Sequence, residues 1–130
     1  AGENSTSRVV RTTTLKNVFF RCGWETADFV KVDTEGNDLK VLHGARDLLA
    51  ESRLNMIQFE YNRHWAYADS TLGGAFKLLN NFEYDIFAIT PRGLEAYEYD
   101  LYFEHFNYSN FLAIHRHHKD YISPLIVSNL

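Results

Sequence analysis

The residues best equipped for chemistry lie where an apolar run, Phe29, Val30 and Val32, gives way abruptly to Asp33, Thr34, Glu35 and Gly36. Carboxylates at the carboxyl end of a buried strand sit where open α/β sheets bind ligands. There they can favour a cation, take a proton from a hydroxyl or orient an acceptor. The alternative role is local, with Asp33 stabilising the loop and Glu35 accepting hydrogen bonds from turn or helix amides. Glu60 and Asn62 close a second candidate strand. Neighbouring strands run about 4.8 Å apart, so these side chains can converge with Asp33 on one pocket. Such oxygen donors can hold Mg²⁺ only when substrate oxygens and water complete the shell. A carboxylate paired with Arg63 or a backbone amide needs no metal, and no metal site is assigned. His64, as an imidazole, is a candidate base. Around it, Tyr61, Trp65 and Tyr67 suit a substrate wall or a cation contact as well as ordinary packing.

His115, His117 and His118 stand close together, but no cysteine or carboxylate pattern completes a zinc site, so they read as a solvated strand end. Cys22 is the single cysteine and lacks the signature of a nucleophile. It excludes a disulfide within the chain and fits a reduced compartment, for which cytoplasm is the default.

Several elements must position these groups. Arg8 to Leu15, with Val9, Val10 and three consecutive threonines, suits a short edge strand. A buried strand ends at Asp33, and from Asn37 or Asp38 the positions Leu39, Leu42, Ala45 and Leu49 recur at helical spacing. Acidic Asp38 near the start of that helix favours its dipole. Met56 to Tyr61 is the next strand, and Leu72, Ala75, Phe76 and Leu79 mark a helix with Ser70 as N-cap. The Gly73-Gly74 pair costs such a helix about 1 kcal/mol per glycine against alanine unless it permits close packing onto a sheet. Tyr84 to Thr90 is a strand stopped by Pro91, Arg92 and Gly93, and Asn110 to His115 is the last. Residues 92 to 109 hold six aromatic side chains without a helical period, which predicts a long hairpin-like excursion and an antiparallel final strand. The alternation of strand and helix predicts an α/β domain whose strands are mainly parallel.

A chain of 130 residues, 45% hydrophobic and 23% charged, suits one globular domain, with loose tails expected at 1–7 and 119–130. Its net charge of -4 and scattered basic residues give no reason to expect nucleic acid. No apolar run approaches the ~20 residues of a membrane span. The first residues lack the basic start and apolar stretch of a secretory signal.

The stretch Phe29-Val-Lys-Val-Asp-Thr-Glu-Gly-Asn-Asp-Leu-Lys-Val-Leu-His-Gly-Ala45 resembles the central motif of the FkbM-type methyltransferases, where a lysine-apolar-aspartate strand end passes through a Glu-Gly turn into a helix. Thr12-Thr13-Thr14-Leu15, Ile57-Gln58-Phe59-Glu60 and Asn110-Phe-Leu-Ala113 extend the likeness over most of residues 9 to 115. The resemblance implies a seven-stranded Rossmann-like domain that uses S-adenosylmethionine, with methyl transfer commonly to a hydroxyl of a sugar, polyketide or similar small molecule. On that fold the four later strands would be the fourth to the seventh. Asp33 and Thr34 would face the donor, and Asp33, Glu35, Glu60 and His64 would serve the chemistry.

The donor loop of such folds needs closely spaced glycines, yet the glycines here are Gly2, Gly23, Gly36, Gly44, Gly73, Gly74 and Gly93, with no G-x-G among them. The chain therefore reads as the C-terminal half of a methyltransferase domain, or a reduced relative, inactive alone; its start at Ala1 fits an excised piece and equally fits removal of an initiator methionine. Two alternatives stand beside this. One is a catalytically silent α/β binding module, dimerising through an exposed sheet edge. The other is a metal-dependent hydrolase or phosphotransferase using Asp33 and Glu35.

Overall fold

The structure, a computed structural model, describes residues 6–128. Residues 6–14 form no strand. The threonine run instead ends in a helix start, because the Thr14 hydroxyl accepts a hydrogen bond from the Asn17 amide at 3.2 Å and caps α1, Leu15–Cys22. A β-branched run without a neighbouring strand has nothing to pair with.

Strand β1, Ala27–Val32, passes through the Asp33–Asn37 turn into α2, Asp38–Gly44, which breaks at Ala45 before α3, Arg46–Ala50. The single helix expected here is thus two, and Leu39, Leu42, Ala45, Leu48 and Leu49 all reach the core. Strand β2, Leu54–Tyr61, alternates between buried and partly buried residues, with Ile57, Phe59 and Tyr61 inward. After the short α4, His64–Tyr67, comes α5, Leu72–Asn81. Its N-cap is Thr71, whose hydroxyl accepts from the Gly74 amide at 3.0 Å, rather than Ser70. Gly73 and Gly74 do not pack on a sheet. A Cβ on Gly73 would lie 2.7 Å from the Tyr99 ring, and one on Gly74 3.0 Å from Leu39.

Strand β3, Tyr84–Thr90, turns through Pro91 and Arg92 into the short β4, Gly93–Ala96, and β5, Ser109–His115, returns last. The five strands form an open sheet ordered β1-β2-β5-β3-β4. This is an α/β fold, but its sheet is mixed. Only β1 and β2 pair in parallel, whereas β5 lies antiparallel between β2 and β3, and β4 antiparallel beside β3. The expectation of mainly parallel strands fails for a topological reason. Strands β1, β2 and β3 do run the same way, but the connection from β2 to β3 leaves a gap that β5 fills from the opposite direction.

Helices α2, α3 and α5 cover one face of this sheet, and Phe19 of α1 joins that core. Part of the other face is closed by the 3₁₀ segment Arg116–Leu125, whose Ile122 packs with Phe87, Leu94, Leu112 and Ile114. Within 119–130, read from sequence as a loose tail, the described residues include the buried Ile122, and Val127 donates to the Leu94 carbonyl at 2.8 Å. Among the described residues no helix is long and apolar enough to cross a membrane.

Tyr84 at the start of β3 reaches across β5 to β2, since its buried hydroxyl donates to the Leu54 carbonyl. Burial raises its phenol above the ordinary range. Because the folded value is the higher one, the contribution is complete below the ordinary phenol value of about 10 and is lost as pH rises through the folded value. Tyr84→Phe should cost about 1–2 kcal/mol at neutral pH by orphaning a buried carbonyl. Denaturant titrations above pH 10 should also show a shallower alkaline loss of stability in the variant than in the parent.

Candidate active site

Strands β1 and β2 end at the same rim, and there the chain builds a cleft of about 380 Å³ lined by Glu35, Glu60, Asn62, Arg63, His64, Phe106, Asn107 and Tyr108. Its floor comes from the exit of β2. Glu60 accepts from the Asn62 side-chain amide at 2.7 Å, and the Asn62 oxygen accepts from the His64 amide at 2.8 Å. Asn62 therefore fixes the carboxylate and the start of α4 together. Trp65, fully buried, donates its indole N–H to the Glu60 carbonyl at 2.8 Å, which anchors the strand end from beneath.

Glu35 enters the cleft from the β1–α2 turn, on a left-handed backbone with φ 52°. Its carboxylate lies 3.3 Å from His64 Nδ1. That distance permits charge attraction, but the angle makes no hydrogen bond, so Nδ1 is buried without a hydrogen-bonding partner. Tyr67 is exposed beyond this pair, whereas Tyr61 and Trp65, also named from the sequence, belong to the core.

Asp33 does not join this group. It is not among the cleft residues, and its carboxylate pairs with Lys31 at 3.2 Å on the exposed side of the turn. The expected convergence of Asp33 with Glu60 and Asn62 is replaced by one of Glu35 with them. Thr34, itself exposed, is tied to Asp38, to which both its amide, at 3.0 Å, and its hydroxyl donate.

Asp38 is the residue that the sequence undervalues. Only 1% exposed, it accepts from Thr34 through one oxygen and from the Glu60 amide, at 3.0 Å, through the other. One carboxylate thus ties the β1 turn to the end of β2, and the hydrogen-bonding role foreseen for Glu35 belongs to it. The only sequence signal was an acidic residue at a helix start, which explains equally well as a dipole effect.

The wall of the cleft, Phe106 to Tyr108, comes from the aromatic excursion that follows β4. Glu104 in this excursion accepts four hydrogen bonds, from the Leu72 and Gly73 amides and from the Tyr61 and Tyr99 hydroxyls. Burial alone would raise its carboxyl, but these donors outweigh burial and hold it below the usual range.

A larger groove of about 770 Å³ lies at the start of β3, between Lys77, Asp85 and Arg116. It runs from there along α5 to Gly73 and Tyr99, and neither the β1–α2 turn nor the end of β2 lines it. The histidine cluster is not solvated throughout, because His115 is buried edge-on to Tyr84. Its Nδ1 accepts from the His117 amide at 3.4 Å, which leaves Nε2 to carry the proton towards Ser52 Oγ at 3.2 Å. A nitrogen already protonated cannot activate that hydroxyl. Cys22 is exposed. Among the described residues no three His, Cys, Asp or Glu side chains are grouped to hold a metal.

A family model described as the methyltransferase FkbM domain matches residues 1–109. No curated protein and no solved structure matches the chain.

Proposed function

This chain belongs to the methyltransferase FkbM family, and from that premise we propose that it forms the acceptor-side half of an S-adenosylmethionine-dependent O-methyltransferase. The observation that carries the proposal is the meeting of Glu35, Glu60, Asn62 and His64 in one cleft at the carboxyl ends of β1 and β2. The strand order β1-β2-β5-β3, with β5 reversed, supports a Rossmann-like methyltransferase sheet.

The residues fit the donor in part. Two carboxylates and the Tyr108 ring favour a sulfonium cation, while the absence of G-x-G leaves its remaining contacts to residues outside these 130. The bound donor would supply an electrophilic methyl group. An acceptor hydroxyl would have to give up its proton as its oxygen is methylated. Glu60, oriented by Asn62, accepts this proton, and His64 beside Glu35 passes it to solvent. Asp33, paired with Lys31 outside the cleft, is left a place at the donor-facing rim, and Thr34 contributes there through the shape of the turn. A small sugar-like or polyketide hydroxyl suits a cleft edged by Asn62, Asn107 and Tyr108, and the cytoplasm suits the chemistry of a soluble donor.

In a chain carrying both halves of the domain, Glu60→Gln should reduce kcat about a hundredfold with the melting temperature little changed, as expected when a general base is lost. A donor methyl-label assay reads this directly, and an unchanged rate would remove Glu60 from the mechanism.

One observation favours a second reading, a non-catalytic module that dimerises. Among the described residues no strand pairs with the outer edge of β1, on which Phe29 is 50% exposed. Free edge amides invite another strand. Sedimentation that finds only monomer up to high concentration would exclude it.

A further inference from the structure

We infer that Glu104 is a positioning residue that fixes the aromatic wall of the cleft against its carboxylate floor, an inference that rests on the cleft being the acceptor site proposed above. Glu104 Oε1 accepts from the Leu72 amide at 2.7 Å and the Tyr61 hydroxyl at 2.9 Å, and Oε2 accepts from the Gly73 amide at 3.0 Å and the Tyr99 hydroxyl at 2.8 Å. The two amides are the first of α5, which a helix start leaves without intrahelical partners. Capping α5 would need only those. The two phenols are surplus to capping, and one of them leads on to the cleft.

Because the Tyr61 hydroxyl spends its proton on Glu104, its oxygen is free to accept, and it accepts from the Phe106 amide at 2.8 Å. Phe106 has φ 53°, a left-handed conformation that a bulky side chain adopts only when its surroundings enforce it. The Tyr61 ring also packs on the Phe106 ring, with centroids 5.7 Å apart. Tyr61 immediately follows Glu60, so the same strand end carries both the floor carboxylate and the phenol that holds the wall. Tyr99 fastens the near end of the excursion over Gly73, where a Cβ would sit 2.7 Å from its ring. The relay from Glu104 through Tyr61 to Phe106 therefore sets the distance between Glu60 and the Asn107–Tyr108 wall.

Residue-resolved amide exchange on the 130-residue chain tests this, comparing the parent with Tyr61→Phe and Glu104→Gln. Tyr61→Phe should speed exchange at Phe106 about tenfold, the local loss expected for one hydrogen bond, while Leu72 and Gly73 stay protected. Glu104→Gln should speed all three. In both variants the Asn62 side-chain amide and the Tyr108 ring resonances should shift, which loss of helix capping alone would not produce. Ala113, in the middle of the sheet, should be unchanged. Unaltered exchange at Phe106 in Tyr61→Phe, or an equal rise at Ala113, would overturn the inference. Should Glu104→Gln fail to fold, Tyr61→Phe decides alone. No donor or acceptor enters the measurement, so a failure of the methyl-transfer proposal would be seen separately.

Discussion

Replacing Gly36 by alanine is expected to lower stability by about 3–5 kcal/mol, the sum of a strained backbone and an overpacked contact. Gly36 has φ +106°, and a Cβ there would stand 2.7 Å from the His64 carbonyl oxygen and 2.8 Å from its Cβ. Neither obstacle is the flexible end of a side chain, because α4 starts at His64 and is held by Asn62. The turn and the helix can separate only by opening the cleft. Gly23 provides the control, since it also has positive φ, +66°, but nothing within 4 Å of an added Cβ. Gly23→Ala should cost only about 1 kcal/mol. Thermal melts should separate the two, with a fall of about 10–20 °C for Gly36→Ala and a few degrees for Gly23→Ala. Equal falls would mean that the close approach to His64 does not matter.

Asp38→Ala is expected to cost about 4 kcal/mol, against the 5–15 kcal/mol that a domain has in total. The substitution orphans the Thr34 and Glu60 amides, both of which donate to this carboxylate at 3.0 Å. Bonds to an ionised acceptor are about twice as strong as neutral ones. Asp38→Asn should cost about half as much, because one oxygen survives while the new amide faces a donor. Urea unfolding reads these differences as shifts in midpoint. A cost below about 1 kcal/mol for Asp38→Ala would show that water replaces the carboxylate, and that the turn and β2 are not joined through it.

Both residues bear on what could be read in advance. The change from Phe29–Val32 to Asp33–Gly36 was legible because it is local, a strand followed by a glycine turn. Strands at 54–61, 84–90 and 109–115 were legible from their apolar runs for the same reason. What failed was adjacency. Nothing in the residues of β5 tells that it inserts between β2 and β3, because that choice depends on how an eighteen-residue excursion folds back, and aromatic residues without a period leave many paths open. The threonines at 12–14 misled because their β propensity means little without a partner strand, while their hydroxyls suit a helix cap.

The site was half legible. Glu35, Glu60, Asn62 and His64 do meet, but Asp33 stands on the other side of its turn and pairs with Lys31. Two residues apart in an irregular turn, Asp33 and Glu35 can point anywhere, and only the left-handed backbone at Glu35 and Gly36 decides. Asp38 and Glu104 were illegible as organisers, because their partners lie 22 and up to 43 positions away. The wall residues Phe106, Asn107 and Tyr108 were hidden for the same reason.

The proposed donor chemistry belongs to the rim shared by the β1 turn and the end of β2. A nitrogen-detected amide titration of the 130-residue chain with S-adenosylmethionine addresses it most directly. Weak binding, on the order of millimolar, with shifts confined to residues 33–36, 60–64 and 106–108, is the expected result. Shifts gathered instead around Lys77, Asp85 and Arg116, or submicromolar binding without any glycine loop, would contradict it.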